Sequence, residues 1–519
     1  MKNLSTLLEE QATRVADKVF VLFERQPNGD NSSPFHVMLS YRDFNRLVNQ
    51  TARYLHAIGI GKGDIYNVHL PNCVTFLVLW FAGTRLGAVM MPTNVLSAVP
   101  ELRYLLDHSG SKVSFCTASD QVTLKQCLAR CQSLQRVVIC DPFSPNPETG
   151  SLESEAQNMA TGQVEISLNG SDLAAIMYTS GTTSRPKGVM VTHTNYLKAG
   201  LTVADAIELC EHDRQFVVLP LFHGNAQYYS VMSTLLRGAS IALMDRFSAS
   251  QYLSKSREYG CTVASLFAAP MRMILAQPEN QLDLDNDLRI VLYAQNLTRQ
   301  ELDDWQRRFD APLCQLWGMT ETMGPPLMNP LHGERRNQSI GKPVGGYRIN
   351  LVDDHGRKVM PGEVGEITVQ GKTGETVMKG YFKNSDASTE AFRDGWLYTG
   401  DNACQDEDGF FHFVDRAKDM IKRSGENVAA GEVELVALQH PAVFDCAVVG
   451  VPDKMRDEEI VAVVVLNAGQ TVSADELIEF CRTRLANFRV PGRVVFNTTL
   501  PRTSVGKIQK HLVRQALLE

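Results

Sequence analysis

The sequence has no cysteine pattern that staples or coordinates. Its eleven cysteines are an odd number, scattered over 519 residues with no Cys-x-x-Cys pair, and a chain this long buries enough surface to fold without disulfides. Cys127 and Cys131 lie one helical turn apart, but no His or Cys follows at a zinc-like spacing, so both read as reduced core thiols. An excess of basic charge is also missing. Against 51 Lys and Arg stand 58 Asp and Glu, a net charge of -7, the wrong balance for a nucleic-acid-binding face. The longest apolar run, 73–92, contains Arg85 and is broken by Gly83 and Gly87, which predicts a buried helix over 74–86 turning into a strand over 88–91. The first 18 residues carry Glu9, Glu10 and Asp17 and read as an amphipathic helix, not a secretory signal. These absences predict a cytoplasmic enzyme with no integral membrane segment and no nucleic-acid partner.

Several catalytic signatures are lacking too. No Gly-x-x-x-x-Gly-Lys-Ser/Thr occurs, and Gly59-Ile60-Gly61-Lys62-Gly63 has the wrong spacing for a dinucleotide site and precedes a strand. Neither His-Glu-x-x-His nor Gly-x-Ser-x-Gly is present, so metallohydrolase and α/β-hydrolase readings lack their residues.

What is present is an ordinary globular composition, 44% hydrophobic and 21% charged. At roughly 150 residues per domain, two to four structural units are expected. Up to about residue 140, amphipathic helical stretches alternate with short apolar runs at 20–23, 65–70, 113–116 and 136–140, the mark of βαβ units and a largely parallel sheet. Residues 144–169 form a polar connection. Strands follow at 216–219, 240–244, 263–267 and 290–293, and the polar clusters of this half fall just beyond strand ends, where α/β sheets bind ligands. From about 341 the texture becomes short alternating strands with Gly and Pro turns. After a charged bridge at 415–423, a helix (432–440), two strands (445–451, 459–466) and a second helix (474–485) make a compact α+β unit.

Between apolar runs at 173–177 and 189–191 lies Tyr178-Thr179-Ser180-Gly181-Thr182-Thr183-Ser184-Arg185-Pro186-Lys187-Gly188. Hydroxyls, backbone amides and an ammonium in one small-residue loop suit a polyphosphate; seen alone, such a loop is as often a solvated surface turn. It resembles the phosphate-binding signature of the acyl-adenylate-forming superfamily, the acyl-CoA synthetases and AMP-dependent ligases. Further matches follow in that family's order: Pro220-Leu221-Phe222-His223, 317–321, 361–366, Tyr398-Thr399-Gly400-Asp401, 415–418 and 501–507. The phosphate loop, with Tyr293-Ala294-Gln295-Asn296-Leu297 and 421–427, is most similar to the crotonobetaine/carnitine-CoA ligase branch.

The resemblance implies an α/β fold. A large N-terminal body of α/β sheet subdomains (1–416) would carry a small β lobe (about 341–414), and a smaller mobile α+β C-terminal domain (417–519) would carry the catalytic lysine. It also implies ATP, Mg2+ and coenzyme A as cofactors, a small-molecule carboxylic acid as substrate, and two half-reactions through an acyl-adenylate. By the same resemblance, Thr179, Ser180, Gly181, Thr182, Thr183 and Lys187 hold phosphates. Thr320 and Glu321 meet the α-phosphate and magnesium, oxygen ligands suited to a hard cation. Ala294, Gln295, Trp317, Gly318 and Met319 border the adenine, while Asp401 and Arg416 take the ribose. Lys507 is the adenylation lysine, Lys418 the hinge, and Ser424, Gly425 and Glu426 edge the pantetheine tunnel. His223 stands on the acyl side as a gate or carboxylate-orienting group, or as packing.

The pattern departs from the family at Ser184, where glycine is usual, at Trp317, where tyrosine is commoner, and at 293–297 in place of Gly-Gly-Ala-Pro-Leu. Tyr228, Tyr229, Phe267, Tyr293 and Trp317 cage a quaternary ammonium, line an apolar slot, or belong to the core. Two other readings stay open: an adenylating enzyme serving a carrier-protein thiol, an amine or another nucleophile, and a non-catalytic nucleotide-binding regulator on the same fold.

Overall fold

The most apolar stretch of the chain forms the helix Val74–Leu86 and the strand Val89–Pro92, joined through Gly87 at φ 69°. The turn needs glycine because the left-handed conformation penalises a Cβ. Almost the whole helix is buried, and it lies directly on the strand Ile65–His69: a Cβ at Gly83 would stand 2.0 Å from the Tyr66 hydroxyl. Its one charge, Arg85, is buried but not alone. The guanidinium bonds Asn49 and Asn45 and pairs with Glu9 at 3.2 Å, which ties the amphipathic helix Leu4–Arg14 to the body.

The computed structural model describes residues 3–25, 35–179, 185–416, 419–423, 426–453, 457–503 and 508–518. Two large sheets build the body. In the first, the order is Arg136–Cys140, Val113–Thr117, Ile65–His69, Val89–Pro92, Leu173–Thr179 and Lys187–Thr192, parallel except for the last pair. In the second, Leu313–Trp317, Ile290–Ala294, Val263–Phe267, Arg214–Val217, Ser240–Met244 and Val19–Arg25 run parallel, flanked by antiparallel edge strands. Parallel neighbours need crossover connections, and most are made by the helices between strands. Both sheets share one continuous apolar core.

Beyond them, Arg348–Val352, Val364–Gln370, Phe392–Arg393, Trp396–Gln405 and Phe411–Arg416 form an antiparallel five-stranded lobe. A further five-stranded sheet, centred on the long hairpin Val443–Asp453 and Asp457–Leu466, carries the helices Ala430–Ala437, Ala474–Arg482 and Lys510–Leu518 and has its own apolar clusters.

Three features differ from the sequence reading or add to it. The polar connection contains a short helix, Leu152–Ala156, capped by Ser151. The segment Asn225–Val231 after His223 winds as a π-helix, a rare form that often marks functional sites. Tyr293 is core: it is fully buried and its hydroxyl donates to the Asn337 carbonyl at 2.5 Å. Nine of the eleven cysteines are buried and none forms a disulfide. Among the described residues no helix is long and apolar enough to cross a membrane.

His193 opens the helix His193–Ala206 from a fully buried position, and its Nδ1 accepts the Leu4 N–H at 3.3 Å. Burial, offset by Asp172, lowers its pKa to about 4. Below about pH 6.5 the unfolded chain therefore takes up a proton that the folded chain refuses. Stability is accordingly expected to fall as pH drops from 6.5 towards 4, by about 2 to 3 kcal/mol from this group at pH 4.5. Urea unfolding of wild type and His193→Gln across that range checks it, the variant showing the shallower acid decline.

Candidate active site

Three strands of the second sheet deliver the site at their carboxyl ends. Leu313–Trp317 ends in Trp317 and leads through Gly318 and Met319 into the tight turn Thr320–Thr322. Ile290–Ala294 ends in Ala294 and Gln295, and Gln295 has φ 76°, a strained value for a side-chain-bearing residue. Arg214–Val217 is followed by the segment that carries His223. Asn72 fixes that segment, its Oδ1 accepting the Leu221 N–H at 2.7 Å and its Nδ2 donating to the Leu219 carbonyl at 3.0 Å. The His223 ring packs on Phe222, centroids 4.5 Å apart. Position 318 has no room for a side chain: a Cβ would lie 2.6 Å from the Tyr229 hydroxyl.

The β lobe brings the second half. The Trp317 Nε1–H donates to Asp401 Oδ2 at 2.9 Å, a contact 84 residues apart in sequence. Asp401 Oδ1 faces Arg416 Nε at 3.3 Å, the two residues pairing across neighbouring strands. The 374–382 segment docks on Lys187–Thr192 through Phe382 N–H to Gly188 O (2.7 Å), Met190 N–H to Gly380 O (2.9 Å) and Thr192 Oγ1 to Gly374 O (2.7 Å). That docking sets Tyr381 between two expected site residues. Its hydroxyl donates to Glu321 Oε1 at 2.9 Å, and Lys187 Nζ lies 4.7 Å from its ring centre. Nothing in the sequence singled out Tyr381, because only the docking of the lobe makes it a neighbour of Glu321.

Electrostatically the site holds two carboxylates and two cations. Burial pushes the Glu321 carboxyl above the usual carboxylate range, against the pull of Tyr381, Arg416 and Lys187. A buried carboxylate whose desolvation its neighbours do not fully offset is receptive to a further cation. Glu321 and its sequence neighbour Thr320 offer only oxygen donors, which suit a hard cation rather than a thiophilic metal.

The structure therefore gathers Lys187, Trp317, Glu321, Asp401 and Arg416 by direct contacts or shared electrostatics, with Thr320, Gly318 and Met319 on the connecting turn. Thr179 pairs with Lys187 at the end of the antiparallel strands Leu173–Thr179 and Lys187–Thr192. Glu426 stands exposed at the start of the strand Glu426–Ala429 in the C-terminal sheet. Ser180, Gly181, Thr182, Thr183, Lys418, Ser424, Gly425 and Lys507 lie outside the described residues.

The family described as AMP-binding enzyme matches residues 8–382, and its C-terminal domain matches 432–507. A crotonobetaine/carnitine–CoA ligase of Salmonella paratyphi A is 36% identical over 98% of both chains. Among solved structures, an anthranilate CoA ligase in complex with anthranoyl-AMP aligns at TM-score 0.89 with 26% identity, over 99% of this chain and 97% of its own. ATP-bound MatB from Rhodopseudomonas palustris aligns at 0.88 with 27% identity over 99% of each chain, whereas apo MatB reaches 0.77 at the same identity and coverage. The chain belongs to the AMP-binding enzyme family. Within it, the protein is an acyl-CoA synthetase, an AMP-forming acid–thiol ligase.

Proposed function

We propose that the enzyme activates a carboxylic acid with ATP to an acyl-adenylate and then transfers the acyl group to coenzyme A. The observation that carries this reading is the pairing of Asp401 with both Trp317 and Arg416 beside the buried Glu321. It is a ready acceptor for ribose hydroxyls set next to a carboxylate suited to a phosphate-bound cation. The enzyme–relative likeness adds to it.

In the first half-reaction a carboxylate oxygen of the acid attacks the α-phosphorus, and the bond to pyrophosphate breaks. Asp401 accepts from the ribose hydroxyls, Arg416 steadies the Asp401 carboxylate and the sugar, and Trp317, held by its indole N–H, flanks the base with Ala294, Gln295, Gly318 and Met319. Lys187 and the hydroxyls and amides of 179–183 neutralise and orient the leaving phosphates. Magnesium on Glu321 and Thr320 would supply charge neutralisation of the triphosphate. Tyr381 fixes the Glu321 carboxylate, and Lys507 offers an ammonium to the charge that develops between acid and phosphate. In the second half-reaction the C-terminal unit turns about Lys418 and presents 424–426. The thiol sulfur then attacks the acyl carbon, the bond to AMP breaks and the thiol proton is released. His223 lies on the acyl side.

The test is pyrophosphate release across betaines, aryl acids and fatty acids, with and without coenzyme A. The acids of quaternary ammonium compounds stand first, given the likeness to crotonobetaine/carnitine–CoA ligases. One acid is expected to drive release, with thioester formed only when coenzyme A is present. Release without thioester would move the acceptor to another nucleophile, and no release with any acid overturns the adenylation reading.

A further inference from the structure

The helix Val99–Ser109 sets Tyr104 and His108 one turn apart on the same face, with ring centres 5.5 Å apart. That face meets both of the antiparallel strands Leu173–Thr179 and Lys187–Thr192. The Tyr104 hydroxyl donates to the Pro186 carbonyl at 3.2 Å, one residue before Lys187. His108 Nδ1 lies 2.6 Å from the Tyr178 hydroxyl, one residue before Thr179. Burial raises the pKa of the Tyr178 phenol and lowers that of His108, where the Lys383 ammonium adds to the effect. At neutral pH the phenol therefore donates and a neutral imidazole accepts. Tyr178 in turn pairs with Gly188 across the strands, and a Cβ at Gly188 would stand 3.2 Å from its ring.

The same end of the helix holds the segment that carries Tyr381. The carbonyl of His108 is one of those a helix leaves without an internal partner at its C-terminus, and it accepts from Lys383 Nζ at 3.0 Å. Lys383 has φ 51°, an uncommon value for a residue with a side chain. The His108 ring meets the Phe382 ring edge-on at 6.1 Å, and the Phe382 N–H is the one that donates to the Gly188 carbonyl. Tyr381 comes just before, with Glu321 on its hydroxyl and the Lys187 ammonium 4.7 Å from its ring centre. Among the described residues Lys187 makes no ion pair, so its ammonium, on a long rotatable stem, is placed by its own backbone and by that ring.

We propose that Tyr104 and His108 are positioning residues, a clamp that fixes the Lys187 ammonium over Tyr381 and beside Glu321, where it meets the outer phosphates of ATP. The inference rests on the reading of Lys187 given above. Tyr104 restrains the peptide that leads into Lys187. His108 restrains the strand opposite it through Tyr178, and the segment that presents Tyr381 through Phe382 and Lys383. Among the described residues neither side chain bonds Trp317, Asp401 or Arg416, so ribose and base binding do not depend on the clamp and its loss falls on the outer phosphates. A helix that merely packs against the body would, once weakened, loosen every nucleotide alike.

Equilibrium titration of the full chain with ATP and with AMP, magnesium present, distinguishes the two cases, since AMP lacks the outer phosphates. His108→Ala is expected to weaken ATP binding about tenfold, the lower end of what one hydrogen bond to a charged group contributes. AMP binding should stay within about twofold of wild type, which also shows that the variant is folded. Tyr104→Phe deletes only the bond to Pro186 and should give the same split at about threefold. His108→Asn should restore most of the ATP affinity, because an amide oxygen can replace Nδ1 as acceptor for the Tyr178 hydroxyl. In a Lys187→Ala background, His108→Ala should weaken ATP by no more than about twofold further, since both act through one ammonium. Equal loss for ATP and AMP, no recovery with asparagine, or full additivity with Lys187→Ala overturns the clamp. Unchanged ATP binding in Lys187→Ala alone strikes the assignment of Lys187 to the phosphates, and that failure is read from the single variant, apart from any result at His108.

Discussion

Lys507→Ala is expected to slow acyl-adenylate formation about a hundred- to a thousandfold, the usual cost of removing one preorganised charge from a transition state. As the α-phosphorus becomes five-coordinate, negative charge gathers on its oxygens and the incoming carboxylate is drawn into a dry site. An ammonium there stabilises that state more than the bound reactants, so the loss falls on kcat and kcat/KM together. Among the described residues on either side of Lys507, Arg502 and Ile508 pair in an antiparallel bridge and the Gln509 N–H donates to the Pro501 carbonyl at 2.8 Å. Acylation of coenzyme A from a preformed acyl-adenylate should stay within about twofold of wild type, because its displacement at carbon builds no charge on phosphorus. Measuring the two half-reactions separately decides the matter, and an equal loss in both would remove Lys507 from the specific role assigned to it.

The fold was legible where a single local pattern sufficed. The helix Val74–Leu86 follows from its long, mostly apolar run and the glycine just after its end, and the βαβ alternation follows from short Val- and Ile-rich runs between amphipathic segments. The π-helix Asn225–Val231 was not legible, since Asn-Ala-Gln-Tyr-Tyr-Ser-Val has neither a helical nor a strand period. Its identity comes from packing: Tyr228 donates to Met177 Sδ at 2.9 Å, and Gln227 donates to the Leu221 carbonyl at 2.6 Å. In the site, residue types at motif positions pointed to Glu321 and Asp401, but their partners were hidden. Trp317 read as a residue bordering the adenine, whereas the structure also uses its N–H to orient Asp401, and Tyr381 reaches Glu321 only because a lobe folded from distant chain docks on Lys187–Thr192. Sequence spacing carries the chemistry of individual groups; who faces whom across 60 or 84 residues is decided by tertiary packing.

Asp401→Ala is expected to raise the KM for ATP about a hundredfold and to erase discrimination between ATP and 2′-deoxy-ATP. A carboxylate accepting from a ribose hydroxyl makes a charge-assisted bond of about 1.5 to 3 kcal/mol, and the loss of two at the lower end of that range, about 3 kcal/mol together, gives roughly the hundredfold. The neighbours sharpen the effect: Arg416 loses the partner 3.3 Å away and Trp317 the acceptor 2.9 Å away, so the ring that flanks the base also loosens. Folding stability should change little through the ion pair, because the Arg416 side chain is 42% exposed and water screens the charge it leaves. The KM for the acid should hold, since the carboxylate stands on the nucleotide side. The decisive measurement is the deoxy penalty in both proteins. Wild type should disfavour 2′-deoxy-ATP about tenfold in kcat/KM, the worth of one such hydrogen bond, and the variant should show no penalty. A penalty that persists at full size in Asp401→Ala means that another group reads the 2′-hydroxyl. In that case the buried Asp401 carboxylate serves only to seat Trp317 and Arg416.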